Sequence, residues 1–201
     1  IGGSTAQATH AMNEWWGKEG MGTMPHALIQ MFRGDVVAAT KAYHEVFPND
    51  DLMALVDYNN DVITDSLKVA HEFGDKLKAV RLDTSRTMVD KYFLRNHHVM
   101  GTFDPRGVNP QLLFALREAL DNEGFDFVKI MASGGFDEKR ILEFEKQNVP
   151  VDMYGVGRSL LKVNIGFTGD NVLLNGIHSA KEGREYRPNP RLEKVDYVKP
   201  E

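Results

Sequence analysis

Four short apolar runs punctuate this chain, and between them apolar residues recur at helical spacing. Leu52 to Val56, Leu77 to Leu82, Phe127 to Ala132 and Val151 to Tyr154 are long enough for strands and too short for buried helices. The intervening segments place Val36, Ala39, Tyr43 and Val46, then Ile63, Leu67, Ala70 and Phe73, then Leu113, Leu116 and Leu120, each on one helical face. A further helix follows Asp137 and carries Ile141, Leu142 and Phe144 on its apolar side. Turn and cap residues bound these segments. Gly34-Asp35 and Asn109-Pro110 are starts, Asn60 or Asp61 caps another, and Gly74, Gly124 and Val149-Pro150 are stops. Thr84 and Ser85 are read as caps for a helix reaching about Asn96. Near the N-terminus, Ser4 or Thr5 can cap a helix from Ala6 to about Trp16, and Leu28 to Phe32 reads as helix. After Leu161 the period changes, and Lys162 to Phe167 with Asn171 to Asn175 reads as a hairpin around Thr168-Gly169-Asp170.

Strands that alternate with helices predict an α/β fold with a parallel sheet and right-handed crossovers. Asp57, Asp83, Ser133 and Gly155 then fall at the C-terminal ends of successive strands, on the rim where such folds do chemistry. Four or five parallel strands are too few to close an eight-stranded barrel. The layout fits the later portion of a (β/α) barrel, incomplete in this chain, with a C-terminal β-hairpin; an open sheet is the alternative. Residues 1–161 are read as the barrel portion and 162–201 as the hairpin with an irregular basic tail. The chain starts at Ile1 inside what reads as a loop. The expectation is a processed product or a piece, its sheet edges closed by a missing N-terminal segment or another chain, with Trp15 and Trp16 as a contact.

The formal net charge of -5 argues against nucleic acid as a partner, so an anionic ligand needs locally placed cations. The absence of cysteine removes disulfides, thiolate metal sites and cysteine nucleophiles. No apolar run approaches a membrane span and no signal peptide is visible, so the expectation is a cytoplasmic protein.

The richest stretch is Phe125 to Leu161. Two consecutive units of strand, glycine loop and helical turn occur there, with Ser133-Gly134-Gly135 in the first and Gly155-Val156-Gly157 in the second. Glycine loops at helix starts offer backbone N–H groups to phosphate, and barrels often build a phosphate site from their last two such loops. Arg81 and Asp83 alternate on one strand and so share a side, where a cation suits an anionic ring and a carboxylate suits sugar hydroxyls. Asp57 and Asp83 together could place Mg²⁺ near a pyrophosphate, or could merely cap and pair. His26, behind Pro25, is a candidate to accept a phosphoryl group or carry a proton. His97-His98 has no metal spacing, and His10, His44, His71 and His178 stand alone.

Five motifs, GTMPHAL at 22–28, LVDYNND at 55–61, VRLDTSR at 80–86, ASGGFDE at 132–138 and MYGVGRSL at 153–160, occur in the order found in nicotinate phosphoribosyltransferases. PNPRLEKV at 188–195 also resembles that family's tail. The resemblance implies a type II phosphoribosyltransferase that joins nicotinate to phosphoribosyl pyrophosphate, giving nicotinate mononucleotide and pyrophosphate for NAD biosynthesis. It implies Mg²⁺, often ATP as a co-substrate, and a homodimer whose active site borrows residues across its interface. His26 falls on the family's phosphorylated histidine, Arg81 near the pyridine carboxylate and Asp83 near the ribose hydroxyls. Thr23 and Asp57 would join Ser133, Gly134, Gly135, Gly155 and Gly157 in substrate and phosphate binding. Two departures stand out. Relatives often read RLDSGD where this chain has Arg81-Leu82-Asp83-Thr84-Ser85-Arg86, and Pro25 replaces a small residue. The family's N-terminal domain has no counterpart in this sequence.

Two rivals remain at this stage. A barrel lyase or isomerase acting on a phosphorylated sugar would keep the phosphate loops but need a lysine or carboxylate base at a strand end. A truncated relative would bind a nucleotide without turnover.

Overall fold

A computed structural model describes residues 4–8, 17, 20–21, 24–160, 166, 169, 171–180, 182–183, 185–191 and 193. The chain divides into two compact units, Met21–Lys162 and a smaller one drawn from Ile1–Gly20 and Val163–Glu201. The expected helix from Ala6 to Trp16 and the expected strand from Lys162 to Phe167 lie almost wholly outside the described residues, as does Thr23.

In the larger unit the helices α1 (His26–Met31), α2 (Val36–Val46), α3 (Val62–Phe73), α4 (Lys91–Arg95), α5 (Pro110–Asn122) and α6 (Glu138–Lys146) accompany the strands β1 (Leu52–Leu55), β2 (Leu77–Leu82), β3 (Lys129–Ala132) and β4 (Met153–Tyr154). The strands pair in chain order, all parallel, with Leu55 opposite Arg81, Arg81 opposite Met131 and Met131 opposite Met153. Each strand lies beside its predecessor, so the order never reverses as it does at the switch point of a doubly wound sheet. A barrel segment and an open sheet both allow four strands in this order. From Val80 onward on β2, and along β3, the buried positions alternate: Val80, Leu82, Ile130 and Ala132 enter the core, whereas Lys129 is exposed and Arg81 and Met131 are partly so. The core gathers Ile29, Val36, Leu55, Val69, Leu113, Leu116 and Leu120 around these strand residues. Full burial of a side chain of that size contributes about 1.5–3 kcal/mol each.

Caps explain most helix starts. Asp35 accepts from Ala38 N–H and Asp137 from Arg140 N–H, both at 3.0 Å. Two expectations are corrected here. The helix expected from Ser85 begins only at Lys91, because Asp90, 1% exposed, accepts from Tyr92 N–H at 2.8 Å. The same carboxylate accepts from Val62 N–H at 3.0 Å and so caps α3 as well. Asp61, offered with Asn60 as the cap of α3, holds the N-cap position, but its side chain makes no cap bond and pairs with Arg95 at 2.6 Å. Burial raises the Asp90 carboxyl above its usual range despite those N–H donors. On α6 only Phe144 is buried, and Leu142 is half exposed.

Asn109 carries α5. Its Oδ1 accepts from Leu112 N–H at 3.0 Å, and its Nδ2 donates to the carbonyls of Pro105 and Gly107 at 3.1 Å. Asn109→Ala is expected to cost about 2 kcal/mol, read as a lowered urea midpoint with an unchanged slope.

In the smaller unit, β5 (Leu173–Leu174) and β6 (Ile177–His178) form the antiparallel hairpin, with Leu174 opposite Ile177. Its turn is Asn175-Gly176 with φ of 50° and 81°, while most of the hairpin expected around Thr168-Gly169-Asp170 lies outside the described residues. Two positive φ angles in a two-residue turn match strand twist, which is why Asn-Gly is preferred there.

Candidate functional site

Asp57 closes β1 and joins three segments. Val56 N–H donates to Arg81 O at 3.1 Å, carrying the β1–β2 pairing one residue beyond the strand. The Asp57 side chain, 2% exposed, then turns toward the loop after β2. Its Oδ2 accepts from Asp83 N–H at 2.9 Å and from the Thr84 hydroxyl at 3.1 Å. Its Oδ1 lies 3.0 Å from His26 Nε2.

His26 is the first residue of α1. Just before it, Met24 is fully buried and its sulfur accepts from Thr40 Oγ1 at 3.6 Å, which anchors the segment. The ring is 44% exposed on its side chain. A carboxylate only accepts, so the proton of neutral His26 sits on Nε2, and Nδ1 is left with the lone pair. Tyr58 stands beside the ring at 6.4 Å between centroids. A carboxylate and an oriented, half-exposed imidazole with a free lone pair form an arrangement suited to receiving a phosphoryl group, because Asp57 would stabilise the imidazolium that results.

A second cluster sits on the same rim. Arg81 Nε donates to Ser133 Oγ at 3.1 Å and Nη2 to Asp83 Oδ2 at 2.7 Å. Ser133 Oγ in turn donates to Leu82 O at 2.9 Å. Arg81 and Asp83 are 17% and 30% exposed on their side chains, so the pair faces solvent from a half-buried position.

The glycine loops meet, and the four glycines play different parts. A Cβ on Gly155 would lie 2.8 Å from the Ser133 Cβ, so Gly155 is required by close approach. Its N–H donates to Ala132 O at 2.8 Å and belongs to the sheet. Gly134 has φ of 90° and passes 3.3 Å, measured from an added Cβ, from Thr84 O. Among the described residues the N–H groups of Gly134, Gly135 and Gly157 have no protein acceptor. The Ser159 hydroxyl donates to Phe136 O at 3.0 Å and ties the second loop to the first.

His26, Asp57, Arg81, Asp83, Ser133, Gly134 and Gly155 are thus linked by direct contacts. Thr84, read from sequence as a helix cap, belongs to the same set through Asp57. Of the two carboxylates offered for a metal, both Asp57 oxygens are engaged by protein groups, whereas Asp83 keeps partial exposure. Among the described residues no three His, Asp or Glu side chains gather as metal ligands, and no helix is long and apolar enough to cross a membrane.

The chain is 29% identical over 166 residues to a nicotinate phosphoribosyltransferase of Bacillus subtilis, covering 80% of this chain and 29% of that protein. It is 31% identical over 144 residues to one from Mycobacterium tuberculosis, covering 70% and 26% respectively. The chain is similar to nicotinate phosphoribosyltransferases. It spans less than a third of the curated relatives it matches. Among solved structures, nicotinate-nucleotide pyrophosphorylase from Pyrococcus furiosus matches with a TM-score of 0.63 and 33% identity, over 92% of this chain and 42% of that one. Human nicotinic acid phosphoribosyltransferase shares the fold at a TM-score of 0.50 and 16% identity, over 77% and 38%. No family model matches the chain.

Proposed function

We propose that this chain carries the phosphoribosyl and pyridine sites of a nicotinate phosphoribosyltransferase, making nicotinate mononucleotide and pyrophosphate from nicotinate and phosphoribosyl pyrophosphate. The observation that carries this reading is the contact network on one rim, in which Asp57 joins His26 to the loop bearing Asp83 and Arg81 joins Asp83 to Ser133. The pyridine nitrogen attacks the anomeric carbon as the bond to pyrophosphate breaks. A pyridine nitrogen near neutral pH needs no base, so the protein's task is placement and charge stabilisation. Arg81 holds the nicotinate carboxylate, and Asp83 accepts from the ribose hydroxyls. The N–H groups of Gly134, Gly135 and Gly157 hold the 5′-phosphate, while Ser133 and Gly155 set the loops' spacing. His26 takes a phosphoryl group from ATP at Nδ1, with Asp57 as its counter-charge. Asp83 would be the carboxylate to hold a Mg²⁺, which would neutralise charge on the departing pyrophosphate. On this reading the protein is a barrel enzyme of NAD salvage, working in the cytoplasm as a homo-oligomer.

The lyase or isomerase reading needs a lysine or carboxylate base; among the described residues no lysine stands at the C-terminal end of a strand, and the carboxylates there, Asp57 and Asp83, are engaged by protein donors. Formation of labelled nicotinate mononucleotide by the intact protein tests the proposal. Binding of phosphoribosyl pyrophosphate without any turnover would favour a non-catalytic relative instead. The two loop glycines separate fold from binding. An added Cβ on Gly157 meets nothing within 4 Å, so Gly157→Val is expected to keep its melting temperature and lose phosphate affinity by about tenfold. Gly155→Ala is expected to lower the melting temperature, since Ser133 must move. Calorimetry with inorganic phosphate, beside thermal melts, reads both.

A further inference from the structure

The loop after β2 carries an arginine that the network above leaves unused. Arg86 has a fixed backbone. Met88 N–H donates to Ser85 O at 3.0 Å, Gly107 N–H donates to Met88 O at 2.7 Å, and a Cβ on Gly107 would lie 3.1 Å from the Arg86 Cα. Its head group is exposed, and its nearest acceptor is Gly135 O, 3.4 Å from Nη2. Arg81, Arg95, Arg106 and Arg117 each pair with a carboxylate, whereas Arg86 has none within 4 Å among the described residues. Arg140 reaches the same turn. Its Nη1 donates to Gly134 O at 2.9 Å, and its guanidinium lies 4.1 Å from the centre of the Phe136 ring. Burial first, and then the Arg86 charge, hold the Arg140 guanidinium below its usual range, while Asp137 and Glu143 act the other way. Two cations therefore converge on a turn whose Gly134 and Gly135 N–H groups have no protein acceptor among the described residues. Arg140 is committed to carbonyls and a ring. Arg86 is the one with donors to spare.

We propose that Arg86 is a specificity-determining residue for the phosphate end of the substrate, closing its guanidinium on a dianionic phosphomonoester held at Gly134 and Gly135. This rests on the phosphate-loop reading given above. A planar guanidinium meets two phosphate oxygens with two N–H donors, which an ammonium cannot copy fully. The exposed position leaves it able to exchange the long contact to Gly135 O for the ligand, at no cost to the core.

The test is calorimetric titration of the full chain with ribose 5-phosphate, with ribose as the uncharged control. Arg86→Ala is expected to weaken ribose 5-phosphate binding about tenfold or more, with Arg86→Lys recovering part of the loss. Arg106→Ala removes a comparable exposed charge on a neighbouring segment and is expected to change affinity by less than about twofold. Melting temperatures check that the variants fold, and Arg86→Gln replaces Arg86→Ala should the turn be disturbed. Wild-type affinity in both Arg86→Ala and Arg86→Gln overturns the role of Arg86 and leaves the phosphate loops standing. Equal losses in the Arg86 and Arg106 variants overturn it too, since general charge would then suffice. No binding by the wild-type chain at millimolar ribose 5-phosphate overturns both this inference and the phosphate-loop reading.

Discussion

Replacing Asp57 by asparagine is expected to leave the fold standing and remove most of the phosphoryl transfer proposed at His26. An amide oxygen can still accept from Asp83 N–H and Thr84 Oγ1, so the tie between β1 and the loop after β2 survives. What faces His26 Nε2 is then an NH₂ group, which donates. The imidazole must present a lone pair at Nε2 and carry its proton on Nδ1, the wrong tautomer for attack from the exposed side. The counter-charge for an imidazolium is lost as well. Phosphorylation of His26 from ATP, measured as acid-labile phosphate, is expected to fall on the order of a hundredfold. Asp57→Ala is a different experiment. It strips acceptors from the Asp83 N–H and the Thr84 hydroxyl in a nearly closed site, and is expected to cost about 3 kcal/mol of stability. If Asp57→Asn labels as fast as wild type, Asp57 is only a structural clamp and His26 has no need of it.

The part of this site that can be read in the sequence is the part written in local pattern. Parallel strands buried among helices appear as short apolar runs, so the strand ends at Leu55, Leu82, Ala132 and Tyr154 are visible, and with them the rim. The starts of the runs mislead slightly. Phe127 and Val151 belong to the apolar runs but lie outside β3 and β4, because apolar composition does not reveal where pairing stops. Contacts between distant residues leave no local trace. The bond from His26 to Asp57 spans 31 positions, and nothing near either residue announces it. Asp90 is a sharper case. A sequence reading starts a helix at Ser85 because hydroxyls are good caps, yet the chain waits for a carboxylate that can cap two helices at once. That choice also frees Thr84 for Asp57. In the hairpin, Asn175-Gly176 is a local signal for a two-residue turn that the sequence reading passed over.

Arg81→Ala is expected to have the largest effect on catalysis. Its guanidinium spans from Ser133 to Asp83 and so aligns the first phosphate loop with the carboxylate assigned to the ribose. Removing it takes away the cation proposed for the pyridine carboxylate and leaves Asp83 with its charge uncompensated. A loss on the order of a hundred- to a thousandfold in kcat/KM follows if the guanidinium also stabilises the transition state. Arg81→Lys is not expected to rescue it, because one ammonium cannot reach Ser133 and Asp83 from a fixed fork and still face the ring. The effect must also be selective. With the cation gone, nicotinate loses its advantage over nicotinamide, which lacks the negative charge, so the ratio of the two kcat/KM values is expected to collapse toward unity. Saturation kinetics in the intact protein, with each pyridine varied at fixed phosphoribosyl pyrophosphate, measure that ratio directly. A variant slow with both pyridines but still as selective as wild type would show that Arg81 aligns the loops without touching the ring. The carboxylate would then need a different cation.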